Sequence, residues 1–365
     1  MIRNLQAELL GRVAALLPDM AARASELDEM AAFPEQDVSA LREAGLFTAP
    51  LPEAYGGAAF GMGAEGAEAL LKLLVLLGEG NLPLTRLFEA HVNALHLTLR
   101  YGSPGMIATV AHDAARGHLF GLWVTDPLDC DGVRVGSEGL RGQKIYCSGV
   151  GAVSRALITA ATPTGAQMLV VDVGAGARVS PGGMGLSGMR ASVTGMVDFS
   201  GMRVEAAQFL GAEGDYLREP VFSAGAWRNA AGALGGVIAL AKLHRAELRQ
   251  RARDADPHQR ARFGQLVMEA ETARLWLQEA ARRASLEDGS PEEIVAVVNL
   301  ARLAVEASSL KAMQLTQRSL GIAAFKAGHP VERICRDLAV FLRQPAPDET
   351  LDRAAGFFLR HGLES

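Results

Sequence analysis

The feature that most constrains the fold is a β-rich segment, residues 119–204, between two long helical blocks. Within it, short runs of β-branched, aromatic and apolar residues are separated by glycine and proline, which is typical of a small antiparallel sheet or barrel. The predicted strands are residues 119–125, 144–148, 156–160, 167–172 and 192–204. The chain is therefore predicted to be an α+β protein in which helices flank a small β domain.

Apolar residues recur at helical spacing on both sides of this segment. The N-terminal block is predicted to hold helices over residues 1–31, 37–44, 64–78 and 83–101. The C-terminal block is predicted to hold four long helices, over residues 221–253, 259–286, 292–320 and 331–342. Short connections between long helices indicate an up-and-down four-helix bundle. We therefore expect an N-terminal all-α domain (residues 1–117), a central β domain (118–212) and a C-terminal helical bundle (213–365).

Composition excludes several classes of function. The net charge is −5 and no block of five like charges occurs, which argues against a nucleic-acid partner. The longest apolar run, residues 230–241, is shorter than the about 20 residues of a membrane span. The 3 cysteines show no CxxC spacing, so we expect a reducing cytoplasm. Because no HExxH motif or His/Cys cluster occurs, we expect no metal site.

One short motif resembles a nucleotide-binding sequence, but the residues that follow it do not fit such a site. Gly183-Met-Gly-Leu-Ser-Gly188 matches the GxGxxG pattern of dinucleotide-binding folds. That pattern functions between a strand and a helix, where the helix N-terminus meets the pyrophosphate. A β-like run follows it here, so we interpret the motif as a surface turn.

The order of several motifs resembles the acyl-CoA dehydrogenase family over nearly the whole chain. The motifs are Phe33-Pro34 with Tyr55-Gly56-Gly57, Trp123-Val-Thr-Asp-Pro127, Gly142-Gln-Lys-Ile-Tyr-Cys-Ser148 and His329-Pro-Val-Glu-Arg-Ile-Cys-Arg-Asp337. The first and last are specific in combination. The resemblance implies FAD bound across a subunit interface and the α,β-dehydrogenation of an acyl-CoA thioester, in which a glutamate removes the α-proton and a β-hydride goes to flavin N5.

The resemblance places the flavin ring against the central strands. Tyr146 is expected to stack on the ring and Ser148 to donate a hydrogen bond to it, because side chains two apart share a face of a strand. Thr125 is expected to donate from the neighbouring strand, with the backbone of Trp123 and Val124 nearby. From the residues alone, Tyr146 is more readily a packed aromatic of the β domain, and it is the resemblance that favours contact with the flavin.

The catalytic glutamate of the family has no unambiguous counterpart. Glu349 aligns with the family's glutamate if this chain has an insertion of a few residues before it, and it is our candidate for the base. An acid near prolines is, however, more often a plain loop residue. Other members place the glutamate immediately before a helix arginine, where this chain has Trp227 before Arg228. Arg228 is expected to lie near the substrate, or else to extend along its helix with its charge in water.

The nucleotide end of the flavin also departs from the family pattern. Gln317, Arg318 and Gly321 correspond to the family's glycine-rich segment, but further glycines are replaced, which obstructs a close approach of backbone to phosphate. Arg251 is the nearest match, with Arg253, to the arginine that reaches the partner subunit's cofactor. Acids in the turn at residues 128–132 stand where a phosphate would lie. Flavin affinity could therefore be low.

Three functions remain open from the sequence. The first is a FAD-dependent dehydrogenase of acyl-CoA that forms a homodimer or homotetramer and passes electrons to an acceptor flavoprotein. The second is a flavin-dependent monooxygenase of the same superfamily, which needs no carboxylate base. The third is a non-catalytic subunit that completes the active site of a paralogous partner. We expect Arg336 and Asp337 to have a structural role in any of them.

Overall fold

The computed structural model describes residues 2–128, 132–179 and 183–363. The N-terminal part consists of helices, as the apolar periodicity predicted. Its helices are α1 (Ile2–Met30), α2 (Glu35–Glu43), α3 (Gly63–Gly80), α4 (Leu82–Tyr101) and α5 (Pro104–Ala115). α5 was not predicted, because Pro104 was interpreted as the end of the preceding helix. Pro104 instead occupies the first turn of a new helix, and the Ser103 hydroxyl accepts a hydrogen bond from the amide of Met106.

The central part forms two sheets instead of a single antiparallel one. Its strands are β1 (Phe120–Trp123), β2 (Arg134–Gly136), β3 (Gly139–Arg141), β4 (Gln143–Cys147), β5 (Arg155–Ala161), β6 (Ala166–Asp172), β7 (Arg178–Val179), β8 (Gly195–Asp198) and β9 (Phe209–Leu210). One sheet has the order β3-β2-β5-β6-β9 with β1 also on β5, and the other has the order β4-β8-β7.

Most of the pairings are antiparallel, as expected, but β1 and β2 both run parallel to β5. A parallel pair needs a long connection between its strands. More than thirty residues separate the end of β1 from the start of β5, and β2, β3 and β4 lie within that connection. The prediction of an antiparallel sheet was therefore wrong for the pairing of β1 and of β2 with β5, since local alternation does not show which strands pair.

The C-terminal part contains the four predicted long helices with one addition and one break. Its helices are α6 (Val221–Ala224), α7 (Ala226–Gln250), α8 (Pro257–Leu286), α9 (Pro291–Leu320), α10 (Pro330–Phe341) and α11 (Pro347–His361). The break at Gly225 separates α6 from α7. α11 was missed because the prolines after α10 were interpreted only as a stop, whereas Pro347 begins a further helix.

The N-terminal and C-terminal helices share one core. α3 packs against α7 so closely that a Cβ added at Gly235 would stand 2.3 Å from the carbonyl oxygen of Val75. Only glycine permits this separation of the two helix backbones. The small residues of α7 thus serve helix packing.

α10 joins the three parts through two adjacent charged residues. The Arg336 guanidinium donates to both carboxylate oxygens of Asp28 on α1, at 2.7 and 3.1 Å, and to the carbonyl of Ser187 at 2.8 Å. Asp337, 1% exposed, accepts a hydrogen bond of 2.6 Å from the amide of Met189. The GxGxxG motif ends here, since a Cβ at Gly188 would lie 2.2 Å from the carbonyl oxygen of Arg336. The motif is a close-contact turn, and no helix of the described residues begins within it.

The buried Asp337 should make stability depend on pH in an unusual direction. Burial raises its pKa to about 6, while Arg333 and the Met189 amide oppose the increase. The folded state therefore binds a proton more tightly than the unfolded chain, whose aspartate pKa is about 3.9. The contribution of this group to stability accordingly increases as pH falls through this window and is lost as pH rises through it.

We expect the difference in denaturation midpoint between the wild type and Asp337→Asn to shift in favour of the wild type as pH falls from about 6 to about 4. Asparagine keeps the acceptor for Met189 and cannot titrate. Urea unfolding followed by circular dichroism at several pH values measures the difference. Asp348→Asn, which alters an exposed acid, serves as control, and a pH-independent difference for Asp337→Asn would contradict the pKa of Asp337.

Candidate functional site

A cavity of about 1410 Å³ lies where the N-terminal helices, the β part and the C-terminal helices meet. α4 forms one wall, the ends of β1 and β4 together with residues 186–194 form a second, and the first turns of α7 form a third. α9 and the connection from α10 to α11 complete the opening. Of the predicted site residues, Val124, Thr125, Tyr146, Ser148, Arg228 and Glu349 all line this cavity.

The β wall is supported from beneath by a buried lysine. Lys144 is 1% exposed, and its ammonium group donates to the carbonyl of Val124 at 3.3 Å, to Asp126 at 2.5 Å and to Thr159 at 3.0 Å. Burial lowers the pKa of Lys144, and Asp126 opposes this. These bonds fix the backbone that presents Thr125, which pairs with Ile145 across the wall. The predicted proximity of these two strands is therefore present.

Tyr146 and Ser148 do not share one face of a regular strand. β4 contains a bulge between Lys144 and Cys147, and Tyr146 has φ of 55°. A bulge interrupts the alternation of side chains, so spacing by two no longer determines orientation. Tyr146 is 49% exposed while Ser148 is 8% exposed. Both residues line the cavity, but not because they share a face of a regular strand. Tyr146 is half exposed and is therefore not a packed core aromatic.

The hydroxyl of Ser148 belongs to a short relay. Ser192 donates to the carbonyl of Met189 at 2.7 Å and lies 2.8 Å from the hydroxyl of Thr194, which lies 3.2 Å from that of Ser148. Each hydroxyl has a single hydrogen. If Ser192 gives its hydrogen to the carbonyl, Thr194 donates to Ser192 and Ser148 donates to Thr194. Ser148 then presents an acceptor to the cavity, which reverses the donor role expected from the sequence.

Trp123 belongs to the core of the β part. It is 1% exposed, packs against Phe199 with ring centroids 6.4 Å apart, and its indole donates to the carbonyl of Ser148 at 3.0 Å. The tryptophan ring therefore supports the cavity wall, and the side chain itself does not line the cavity.

The α4 wall contains residues that the sequence analysis missed. Glu89 is 3% exposed and accepts hydrogen bonds from Arg86, at 2.6 Å, and from the amide of Asn93. The carbonyl oxygen of Asn93 accepts a 2.5 Å hydrogen bond from Nε of Arg228 on α7. Arg86, Glu89, Asn93 and His96 recur at helical spacing, so a polar stripe on an otherwise apolar helix was a signal that could have revealed them.

The charges of this wall are fixed by burial. Burial lowers the pKa of Arg228 to about 10, and Glu89 opposes the shift, so the guanidinium remains protonated at neutral pH. Burial also lowers the pKa of His96 to about 3, with a further decrease from the charge of Arg228. His96 is therefore a neutral imidazole, 3.0 Å from the carbonyl oxygen of Phe60.

Glu349 lies in the first turn of α11 at the opening of the cavity and is exposed. The other position where the resemblance places a glutamate holds Trp227, which is fully buried and offers no carboxylate. The only described carboxylate that is both buried and in contact with the cavity is Glu89. The cavity lining thus includes one buried acid, Glu89, and further acids that are not buried, namely Glu219, Glu287, Glu306 and Glu349.

The residues expected at the nucleotide end of the flavin lie outside this cavity. Arg251 ends α7 and pairs with Glu247 at 2.6 Å. Gln317 and Arg318 lie in the last turn of α9, and Gly321 follows it with φ of 64° and open space beside its α-carbon. Their assignment to a cofactor shared with a partner subunit remains a prediction. The acids at positions 129 and 131 lie outside the described residues.

No group of histidine, cysteine and acidic side chains suited to a metal ion is found among the described residues. No helix in the described part of the chain is long and apolar enough to cross a membrane.

Comparison with known proteins identifies the class of this fold. The family model "Acyl-CoA dehydrogenase, N-terminal domain" matches residues 6–118. No curated protein sequence matches the chain. Butyryl-CoA dehydrogenase from Megasphaera elsdenii superposes with a TM-score of 0.86 at 18% identity, over 98% of both chains. FMN-bound TdsC from Paenibacillus sp. A11-2, a dibenzothiophene monooxygenase, superposes with a TM-score of 0.86 at 18% identity, over 97% of both chains.

A third similar structure is KijD3 in complex with FMN and a dTDP-linked amino sugar, with a TM-score of 0.84 at 21% identity over 99% of this chain and 95% of that one. These similarities define the acyl-CoA dehydrogenase fold. The family model matches the N-terminal helices, and the chain as a whole has the acyl-CoA dehydrogenase fold. At these identities the structural similarity establishes the fold and leaves the reaction open.

The left-handed backbone of Tyr146 yields a stability prediction. Non-glycine residues at positive φ cost roughly 1–2 kcal/mol, and a β-branched residue is least tolerated there. Because the tyrosine side chain is half exposed, we expect Tyr146→Gly to change stability by less than about 1 kcal/mol, since the strain relieved offsets the entropy of glycine. We expect Tyr146→Val to destabilise the protein by about 1–2 kcal/mol.

Urea denaturation compares the two variants, and Ile145→Val at the adjacent position provides the control. Equal stability of Tyr146→Val and Tyr146→Gly would contradict the positive φ.

Proposed function

We propose that the protein is a flavin-dependent oxidoreductase that binds the isoalloxazine ring in the cavity between the β part and α7. The observation that carries this proposal is the half-exposed Tyr146 on the cavity wall beside the hydroxyls of Thr125 and Ser148. An aromatic platform with polar groups at its edge fits a flat, amphipathic ring. Ser148 would accept from a ring N–H, and Thr125 would donate to a ring carbonyl or nitrogen.

The cofactor we propose is FAD, shared between two subunits. When bound, the flavin supplies the acceptor for a hydride or, in its reduced form, the reductant for oxygen. Support for the shared site comes from the resemblance, which assigns Gln317, Arg318, Gly321 and Arg251 to the partner's nucleotide. Exposed apolar residues on α8, such as Met268 and Leu275, are consistent with a homodimer or homotetramer. FMN would need only the contacts within one cavity.

The first reaction we propose is the α,β-dehydrogenation of an acyl-CoA, with Glu349 as the base. Its position at the opening of the cavity supports this role. Proton abstraction next to a thioester requires a carboxylate that loses contact with water. Glu349 would meet this requirement once an acyl chain and its thioester cover the opening. Glu89 is less suited, because Arg86 and Asn93 already bind its two oxygens. Electrons would then pass to an acceptor flavoprotein.

A flavin-dependent monooxygenase is the second candidate. The observation that favours it is the buried Trp227, which occupies one of the two positions at which the family places its base. A reaction of reduced flavin with oxygen needs no carboxylate there. A non-catalytic subunit that completes a paralogous partner remains the third candidate, and robust activity of the isolated chain would eliminate it.

Flavin binding is the first test. We expect purified protein, after reconstitution with FAD or FMN, to show flavin absorbance that remains after gel filtration. Tyr146→Gly should raise the flavin dissociation constant by about threefold to tenfold, as expected for the loss of an aromatic contact. Tyr55→Gly, which alters an exposed tyrosine outside the cavity, should leave it unchanged. Protein that binds neither flavin would refute the proposed function.

Substitution of the proposed base, Glu349, distinguishes the two reactions. If the flavin-loaded protein is bleached by acyl-CoA, Glu349→Gln should lower the rate of bleaching by about 10²- to 10⁴-fold, and Asp348→Asn should not. Stopped-flow absorbance measures these rates. Oxygen consumption with reduced flavin, unaffected by Glu349→Gln and without acyl-CoA turnover, would instead establish the monooxygenase. A Glu349→Gln variant that dehydrogenates acyl-CoA at the wild-type rate would eliminate Glu349 as the base.

A further inference from the structure

The first turn of α7 presents hydrogen-bond donors that lack partners. The indole Nε1 of Trp227 and the amide Nδ2 of Asn229 are both buried without a hydrogen-bond partner among the described residues. Trp227 is 0% exposed, and both residues line the cavity. Buried donors are nearly always paired in folded proteins, because an unpaired one costs about 1–3 kcal/mol. The two residues stand two positions apart on the helix, on different faces of α7, and they leave this turn with polar groups that the chain does not satisfy.

Arg228 lies between these two residues and is held in one orientation. Its Nε donates to Asn93, whose own amide donates to Glu89, and its guanidinium carbon lies 5.8 Å from the centroid of the Trp227 ring. No carboxylate of the described residues forms an ion pair with Arg228. Gly225 leaves space for the guanidinium, since a Cβ there would lie 2.9 Å from Nη2. The two terminal nitrogens are therefore available as a planar fork.

The surroundings define the charge and shape of the ligand. α7 has 25 residues, and the N-terminus of a long helix favours negative charge. The nearest described acid, Glu89, is already satisfied by Arg86 and Asn93. A guanidinium fork matches the two oxygens of a carboxylate. The adjoining lining of Leu97, Leu122 and Phe222 is apolar, so the body of the ligand should be apolar.

We propose that the first turn of α7 binds the free carboxylate of an apolar organic acid, with Arg228 as the residue that contacts it and Asn93 as the residue that positions Arg228. The inference goes beyond the proposed function and does not require that this acid be the molecule oxidised or reduced beside the flavin. The binding itself requires only the residues of this chain.

Isothermal titration calorimetry with hexanoate and with hexanamide tests the proposal. The two probes have the same apolar chain, and only hexanoate carries a charge. We expect the protein, with or without flavin, to bind hexanoate at least about tenfold more tightly than hexanamide, the preference expected of a charge-assisted hydrogen bond. Arg228→Gln should abolish the preference, and Arg228→Lys should retain part of it, because lysine keeps the charge but not the fork.

Arg353→Gln is the matched control, because it removes the same charge from the exposed opening of the cavity and leaves α7 unaltered. It should retain the full preference. Asn93→Leu should weaken hexanoate binding while leaving hexanamide binding unchanged, which a purely structural role of Asn93 would not produce. Circular dichroism shows that each variant is folded, and Arg228→Lys carries the test if Arg228→Gln is not.

The outcomes separate this site from the proposed function. Equal binding of the two probes, an unchanged preference in Arg228→Gln, or an equal loss in Arg353→Gln would overturn the carboxylate site. A hexanoate preference in protein that binds no flavin would establish the site and refute the oxidoreductase. Flavin binding without a hexanoate preference would leave the oxidoreductase and eliminate the carboxylate site.

Discussion

The attachment of α10 to its neighbours is the interaction on which the rest of the structure depends. Arg336 joins α10 to α1 and to the loop that contains Ser187, and Asp337 accepts the amide of Met189 from the same loop. Ser187 and Met189 line the cavity. The charges that hold the three parts together therefore also fix one wall of the site. A buried charge has few acceptable partners, so these contacts specify one arrangement where apolar contacts alone would allow several.

The cavity has two walls of opposite hydrogen-bonding character. On the β side, the relay that ends at Met189 leaves Ser148 with lone pairs directed to the cavity. On the α7 side, Arg228 lines the cavity and offers hydrogen-bond donors. A neutral ring with both donors and acceptors suits the first wall, and an anion suits the second. This division is consistent with the proposed binding of a flavin at one wall and of an anion at the other.

The sequence was most informative where local rules apply. Apolar periodicity located α1, α3, α4 and the long C-terminal helices, and β-rich runs located the principal strands. The same rules failed at Pro104 and Pro347, because a proline that ends one helix also begins the next. Alternation failed at Tyr146, where a bulge inserts a left-handed residue that no two-residue period describes. Parallel pairing of β1 with β5 was also beyond local pattern, since it depends on a contact across a long connection.

By itself, the sequence determined the kinds and order of elements, the three-part α+β organisation and the presence of Thr125 and Tyr146 near one site. These properties follow from periodicity, turn residues and motif order. The tertiary structure decided the chemistry of that site. It brought Asn93 to Arg228, 135 residues away along the chain, and buried Glu89. Burial, orientation and the pairing of charges arise only when distant segments pack, because each depends on the distances between groups that the linear order does not encode.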